Sequence, residues 1–280
     1  MDREWCLSML LALFGGTMLL GCGWWPVARA RQISARGLER IAWSRVWLPL
    51  APALTVAAAL CGWALREPDP VPEKVPKSLI LISLPFVLLI ARAAIRATRS
   101  LLAVRGGLGI ATVGLLRPRI AFSQDLAISL DEREVAAALE HERAHARHRD
   151  PLRIWLAQLA TDLQWPWPQA RERLQGWLLA LELARDEETR AAGVDGADLA
   201  SAIVVAARSL RGTSPPLGAA LIGERCALKQ RIARLLAPLP DAPGTTWADT
   251  WRSFLFLIPV PLIALALGAA FGERAIRVLL

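Results

Sequence analysis

The chain has 280 residues, a formal net charge of +8, 54% hydrophobic residues and 21% charged ones. The hydrophobic share exceeds the roughly 45–50% of an ordinary soluble domain, yet there is too much charge for a bare bundle of membrane spans. This excludes a soluble secreted protein and calls for membrane segments plus a charged part large enough to fold in water. Four cysteines without a CxxC pair exclude a disulfide scaffold, a zinc knuckle and a redox motif.

Charge-free runs mark the expected spans in chain order. Residues 5–28 hold 24 uncharged residues, 46–65 hold 20 and 253–272 hold 20. At 1.5 Å per residue each crosses a hydrocarbon core of roughly 30 Å. Residues 78–91 form a shorter run of 14 between Lys77 and Arg92. Those two side chains can snorkel, and Ala93, Ala94 and Ile95 extend the apolar face, so 78–95 reads as the third span. The first run has a rival reading, because Leu19-Leu20-Gly21-Cys22 resembles a lipoprotein processing box. The start, Met1-Asp2-Arg3-Glu4, lacks a positive n-region, and the apolar run continues to the interfacial pair Trp24-Trp25. An uncleaved span is expected.

Orientation follows from the short loops. Arg29, Arg31, Arg36, Arg40 and Arg45 follow the first span, whereas the Pro-rich loop 66–77 carries only Arg66, Lys74 and Lys77. The positive-inside rule then places the N-terminus outside and the first loop inside. The segment 92–252 is inside as well. The expected fold is an α-helical integral membrane protein. Three spans (5–28, 46–65, 78–95) occupy the N-terminal region 1–91, a mainly α domain with a small β element fills 92–252, and a fourth span with a short tail covers 253–280. The basic excess orients the chain against anionic lipid, and no nucleic-acid motif occurs.

Within the insert, 110–113 and 120–122 read as short strands around a turn at Arg117-Pro118. Asp131, with Glu134 three residues on, opens a helix through Leu139 and the histidines. A helix follows Asp150-Pro151, another covers about 169–192 before Gly193, and two more cover about 196–211 and 219–236.

All three histidines of the chain lie within that first helix: His141, His145 and His148. His141 and His145 stand at i and i+4, one turn apart on one face, so their imidazoles can converge on one zinc. Glu142, beside the first of them, is placed to act as general base towards a water. A catalytic zinc usually has three protein ligands. His148, at i+7, lies about 10 Å along the axis from His141, too far for easy convergence on a straight helix. Glu182 offers a carboxylate from a later helix, and Asp186, one turn beyond, is placed to hold the free N–H of a ligand histidine. A solvated acidic face accounts equally well for these residues, since Glu187 and Glu188 follow directly. Spacing alone leaves that choice open.

HExxH followed by Asp150-Pro151, then ExxxD on a later helix, resembles the BlaR/MecR-type membrane zinc metallopeptidases, the signalling proteases of β-lactam resistance and their relatives. The resemblance is strongest in 117–151, 182–186 and the stretch Leu228-Lys229-Gln230-Arg231-Ile232. It implies Zn2+ as cofactor, Glu182 as third ligand with His141 and His145, Asp186 as partner of a ligand histidine, and Glu142 as base. HtpX-type proteases share the same core and are the nearest competitor. With no Tyr in the chain, the oxyanion donor falls to His148, Arg185 or Arg190, and His148 is carried as a catalytic candidate. An edge of the β element, 113–116 or 120–123, could pair with an extended substrate.

The implied function is a zinc-dependent endopeptidase of the plasma (inner) membrane, multi-pass, with its catalytic domain cytoplasmic. It would cleave a cytoplasmic transcriptional repressor and itself. The alternatives are a quality-control protease for membrane proteins and a non-proteolytic membrane adaptor that keeps the zinc fold. β-Lactam sensors of the family carry a penicillin-binding domain after the fourth span. Here only 273–280 follow and no SxxK motif occurs, so direct antibiotic sensing is not expected. The expected partners are a protein substrate, the bilayer, and either a separate sensor or a second copy of the chain.

Overall fold

The computed structural model describes residues 34–51, 77–103, 111–121, 128–165, 167–210 and 218–238, with isolated positions 55, 58, 62, 262, 263 and 266. The first and fourth expected spans, most of the second and the loop 66–76 lie outside the described residues. Seven helices and a two-stranded sheet are described: α1 (Ala35–Trp47), α2 (Lys77–Ala103), β1 (Ala111–Val113), β2 (Arg119–Ala121), α3 (Glu132–Arg147), α4 (Asp150–Leu163), α5 (Pro168–Ala191), α6 (Gly196–Leu210) and α7 (Gly218–Leu236). The insert is thus mainly helical with a small β element at its front.

Local chemistry sets the boundaries. Asp131 and Glu134 close a reciprocal capping box at the start of α3: the Glu134 N–H donates to Asp131 Oδ1 at 2.8 Å, and the Asp131 N–H donates to Glu134 Oε2 at 3.0 Å. Such a cap stabilises a helix by about 1 kcal/mol. Pro151 and Pro168 occupy the first turns of α4 and α5, where no amide hydrogen is required. The strands pair antiparallel with Thr112 opposite Ile120. Their turn includes Gly114 at φ +95°, where a Cβ would stand 2.8 Å from the Arg117 carbonyl oxygen.

The helices pack around α5. It receives α1 along one side and α3, α4 and α7 elsewhere, while α6 lies against α3 and α7 and the strands lie on α3. The approach of α6 to α7 is close enough that a Cβ on Gly196 would overlap the Leu235 carbonyl. The main apolar cluster joins Trp43 and Val46 of α1, Ala157 and Ala160 of α4, and Leu174, Trp177 and Leu181 of α5. Trp43 and Trp177 meet with ring centroids 4.8 Å apart, a tilted pair that contributes about 0.5–1.5 kcal/mol beyond area burial.

The sequence reading treats the arginine-rich stretch after residue 28 as a loop. From Ala35 it is instead helix α1, seated in the core of the domain. Its basic residues conceal an apolar stripe, Ala35, Trp43 and Val46, and a buried acid, Glu39. The start of the run expected as the second span belongs to the same packing, since Val46 is buried and its carbonyl accepts from Gln164 Nε2 at 2.9 Å.

The far half of α2 is tied to α4. Arg96 pairs with Asp162 at 3.2 Å, Trp155 Nε1 donates to the Ala97 carbonyl at 3.1 Å, and Arg92 lies over the Trp165 ring. The near half exposes Leu81, Leu84, Val87, Leu88 and Ile90. Among the described residues, no helix is long and apolar enough to cross a membrane.

Candidate metal centre

The i, i+4 spacing on α3 does what helix geometry requires. The His141 and His145 rings stand centroid to centroid at 4.7 Å, both buried, and their Nε2 atoms are 3.0 Å apart. From α5, Glu182 brings Oε2 to 3.5 Å from His141 Nε2 and Oε1 to 3.6 Å from His145 Nε2. One ligand atom from each of the three residues lies within 4.8 Å of the others.

Each imidazole is held from behind by an acid. His145 Nδ1 lies 2.9 Å from Asp150 Oδ2, and His141 Nδ1 lies 3.1 Å from Asp186 Oδ1, the latter poorly aligned for a linear hydrogen bond. Burial by itself would raise the carboxyl of Asp150, but the His145 and Arg185 hydrogen bonds overcome it and hold that carboxyl well below its usual range. Asp186 is likewise lowered against its burial, by Arg231 and His141. Ionised acids only accept, so both Nδ1 atoms carry hydrogen. With both Nδ1 atoms protonated, the two Nε2 lone pairs face each other at 3.0 Å, an arrangement suited to a shared cation. A tetrahedral zinc with nitrogen ligands at about 2.0–2.1 Å separates them by about 3.3 Å. The observed separations of 3.0, 3.5 and 3.6 Å bracket that value, so the donor set fits such an ion.

Without a metal, a proton serves instead. Burial lowers the pKa of His141, but Asp186 and Glu182 outweigh it and raise the pKa to about 9. Burial also works against the charge of Glu182, while Arg231, His141 and His145 hold its carboxyl ionised well below the usual range.

Several residues essential to this geometry carry no role in the sequence reading. Asp150 reaches His145 because Arg149 adopts the left-handed conformation, φ 51°, turning the chain sharply between α3 and α4. Straight helical spacing would not bring them together. The only signal in the sequence is Pro151, which announces a new helix start. Arg231 of α7 donates through Nε and Nη2 to both Asp186 oxygens at 2.8 Å, and its Nη1 stands 2.8 Å from Glu182 Oε2. The motif stretch 228–232 contains it, but spacing could not reveal its target. Thr112 of β1 places Oγ1 2.7 Å from Glu142 Oε2 and 2.8 Å from the Glu142 carbonyl, so its hydroxyl fixes the side chain of the residue that follows His141.

His148 falls elsewhere. It caps the C-terminus of α3, where Nε2 meets Glu188 Oε2 at 2.8 Å, and it is not among the converging ligands. The other two oxyanion candidates are engaged as well. Arg185 is buried against Asp150, and Arg190 donates to the Arg234 and Ala237 carbonyls at the end of α7. Arg231 is the guanidinium that reaches the metal group.

Two histidines one turn apart, a carboxylate from a second helix and an acid held beside them define a centre of the metallopeptidase type. Residues 110–235 match the family model described as BlaR1 peptidase M56, a likeness that covers this domain and less than half of the chain. No curated protein and no solved structure matches the chain.

Proposed function

We propose that the chain is a membrane-anchored zinc endopeptidase, with zinc held by His141, His145 and Glu182. The observation that carries this reading is the convergence of those three donors, with Glu142 next to His141 in the chain and held by Thr112. A bound zinc would supply Lewis-acid polarisation of a carbonyl and lower the pKa of a water. The rest falls to the chain's own side chains. Thr112 holds Oε2 of Glu142 and leaves Oε1 as the proton acceptor; the same atom returns that proton to the leaving amine. Arg231 is the guanidinium beside the ligand carboxylate, and it keeps Glu182 and Asp186 ionised. Paired with Glu188, His148 has no step assigned to it.

The substrate we propose is a cytoplasmic protein, a transcriptional repressor and the chain itself; the family model's association with BlaR1 supports this choice. The membrane reading draws support from α2, whose near half exposes a row of aliphatic side chains. The packing of α1 on α5 also agrees with the alternation of the expected spans. It requires the stretch after the first run and the 92–252 insert to share one side, as the arginine distribution does independently.

The test is Glu142→Gln in membranes, following self-cleavage and zinc content. The expected result is proteolysis lost with zinc retained. Proteolysis at the wild-type rate removes Glu142 as base, and wild-type protein without zinc sinks the metal reading.

A further inference from the structure

We propose that α1 is a working part of the metal centre, with Glu39 as a positioning residue for the ligand His145. This inference rests on the metal site proposed above and deepens it. The family match begins at residue 110, so α1 lies outside it. Yet a chain of charge, buried at Glu39, Asp150 and Arg185 and partly exposed at Arg153, runs from α1 to His145. Glu39 Oε1 stands 2.5 Å from Arg153 Nη2 and 3.7 Å from Arg185 Nη2. Both guanidiniums turn to Asp150: Arg153 Nη1 at 3.0 Å, Arg185 Nε at 2.5 Å and Arg185 Nη2 at 2.9 Å. Asp150 then meets His145 Nδ1 at 2.9 Å. Glu39, Asp150 and Arg185 are all buried, so solvent screens little of this.

The charges explain the coupling. Two cations face Glu39 on α1 and Asp150 beside His145, and Arg185 alone also faces Glu188 at 3.6 Å. Asp150 Oδ2 is shared between Arg185 Nε and His145 Nδ1. Without Glu39, Arg153 is left with Asp150 and Arg185 with Asp150 and the more distant Glu188, so both guanidiniums lean harder on Asp150 and its hold on the His145 N–H weakens. The imidazole becomes a poorer donor at Nε2, as expected when the group behind a ligand histidine is perturbed. The helix is seated to transmit this. The Ala35 N–H donates to Glu187 Oε2 at 2.8 Å, Arg36 pairs with Glu188 at 3.2 Å, and Arg153 lies over both Trp43 and Trp177.

The experiment measures zinc affinity by chelator competition on the purified full chain for wild type, Glu39→Gln and Val46→Ala. Val46 is buried on the same helix but apolar, so Val46→Ala loosens α1 packing without altering the charge chain. Glu39→Gln is expected to weaken zinc binding about 3–10-fold, less than the 10–100-fold typical of a residue touching the ligand itself. Val46→Ala is expected to lower the melting temperature and leave zinc affinity unchanged. Glu39→Gln binding zinc as tightly as wild type overturns the proposal, as does Val46→Ala weakening zinc equally. If Glu39→Gln fails to fold, Glu39→Asp decides: its shorter, still charged side chain should weaken zinc at least about threefold, and unchanged affinity overturns the proposal. Wild type that binds no zinc overturns the metal reading and this inference with it. Normal zinc binding with an indifferent Glu39 overturns this inference alone.

Discussion

His141 and His145 sit one turn apart on the same helix, yet they are supported by different constructions from different elements. Behind His145, Asp150 and Arg185 are almost inaccessible, and the chain of charge continues through Arg153 to α1. Behind His141, Asp186 is held by Arg231 of α7, which also touches the third ligand, Glu182, at the more open side of the group. One arm is anchored in the core and supports both fold and site. The other closes on the site itself. The difference shows how one helix turn separates a support rooted in the core from one built at the more open face of the site.

Mutations should separate the arms by what they damage. The largest effect is expected for Asp150→Ala, which takes from Arg153 and the buried Arg185 the acid they share and leaves them Glu39 and the more distant Glu188. Removing one partner of such a group costs about 3–5 kcal/mol, read by denaturant unfolding of the metal-free protein, and zinc retention should fail as well. Asp186→Asn should weaken zinc about 10–100-fold by chelator competition while costing less stability, because Arg231 is only partly enclosed. If Asp186→Asn unfolds the protein as severely as Asp150→Ala, the contrast between the arms is wrong.

A pH series sharpens the comparison further. His141 has its pKa raised from 6.5 to about 9 in the folded metal-free protein. Its stabilising contribution is therefore complete below about 6.5 and lost as pH rises through about 9. Melting of the metal-free protein should decline across that window, and Asp186→Asn should flatten the decline. Zinc must displace the same proton, so apparent zinc affinity should rise with pH up to about 9. The smallest effect is expected at His148. His148→Ala breaks an exposed pair with Glu188, worth about 1 kcal/mol or less, and should leave turnover unchanged. A large loss of turnover would return His148 to the catalytic set.

Much of the domain was legible because its signals are local. The capping pair Asp131 and Glu134, the prolines at 151 and 168, and Gly193 (φ +96°) mark helix ends that depend on neighbours a few residues away. His141 and His145 were legible for the same reason, since i and i+4 share a face in any α-helix. What escaped was long-range or irregular. The apolar stripe of α1 is interrupted by arginines, and its core role shows only when Trp43 meets Trp177 across 134 positions of sequence. The partnership of His145 with Asp150 needs a left-handed Arg149, a conformation no periodicity encodes. Thr112 with Glu142, and Arg231 with Asp186, join elements 30 and 45 residues apart.

The sequence by itself determined that membrane-like runs and a charged domain coexist in 280 residues, that HExxH lies on a capped helix, and that no tyrosine can serve the site. Those properties belong to composition and short spacing, which survive any arrangement of the rest of the chain. Only the tertiary structure decided that Glu182 rather than His148 joins the two histidines, and that Arg231 and Thr112 face the site. It also decided that an arginine-rich stretch beginning before residue 50 supports a ligand at 145. Such decisions require helices to cross in space, where burial makes an unpaired charge so costly that each one selects its partner.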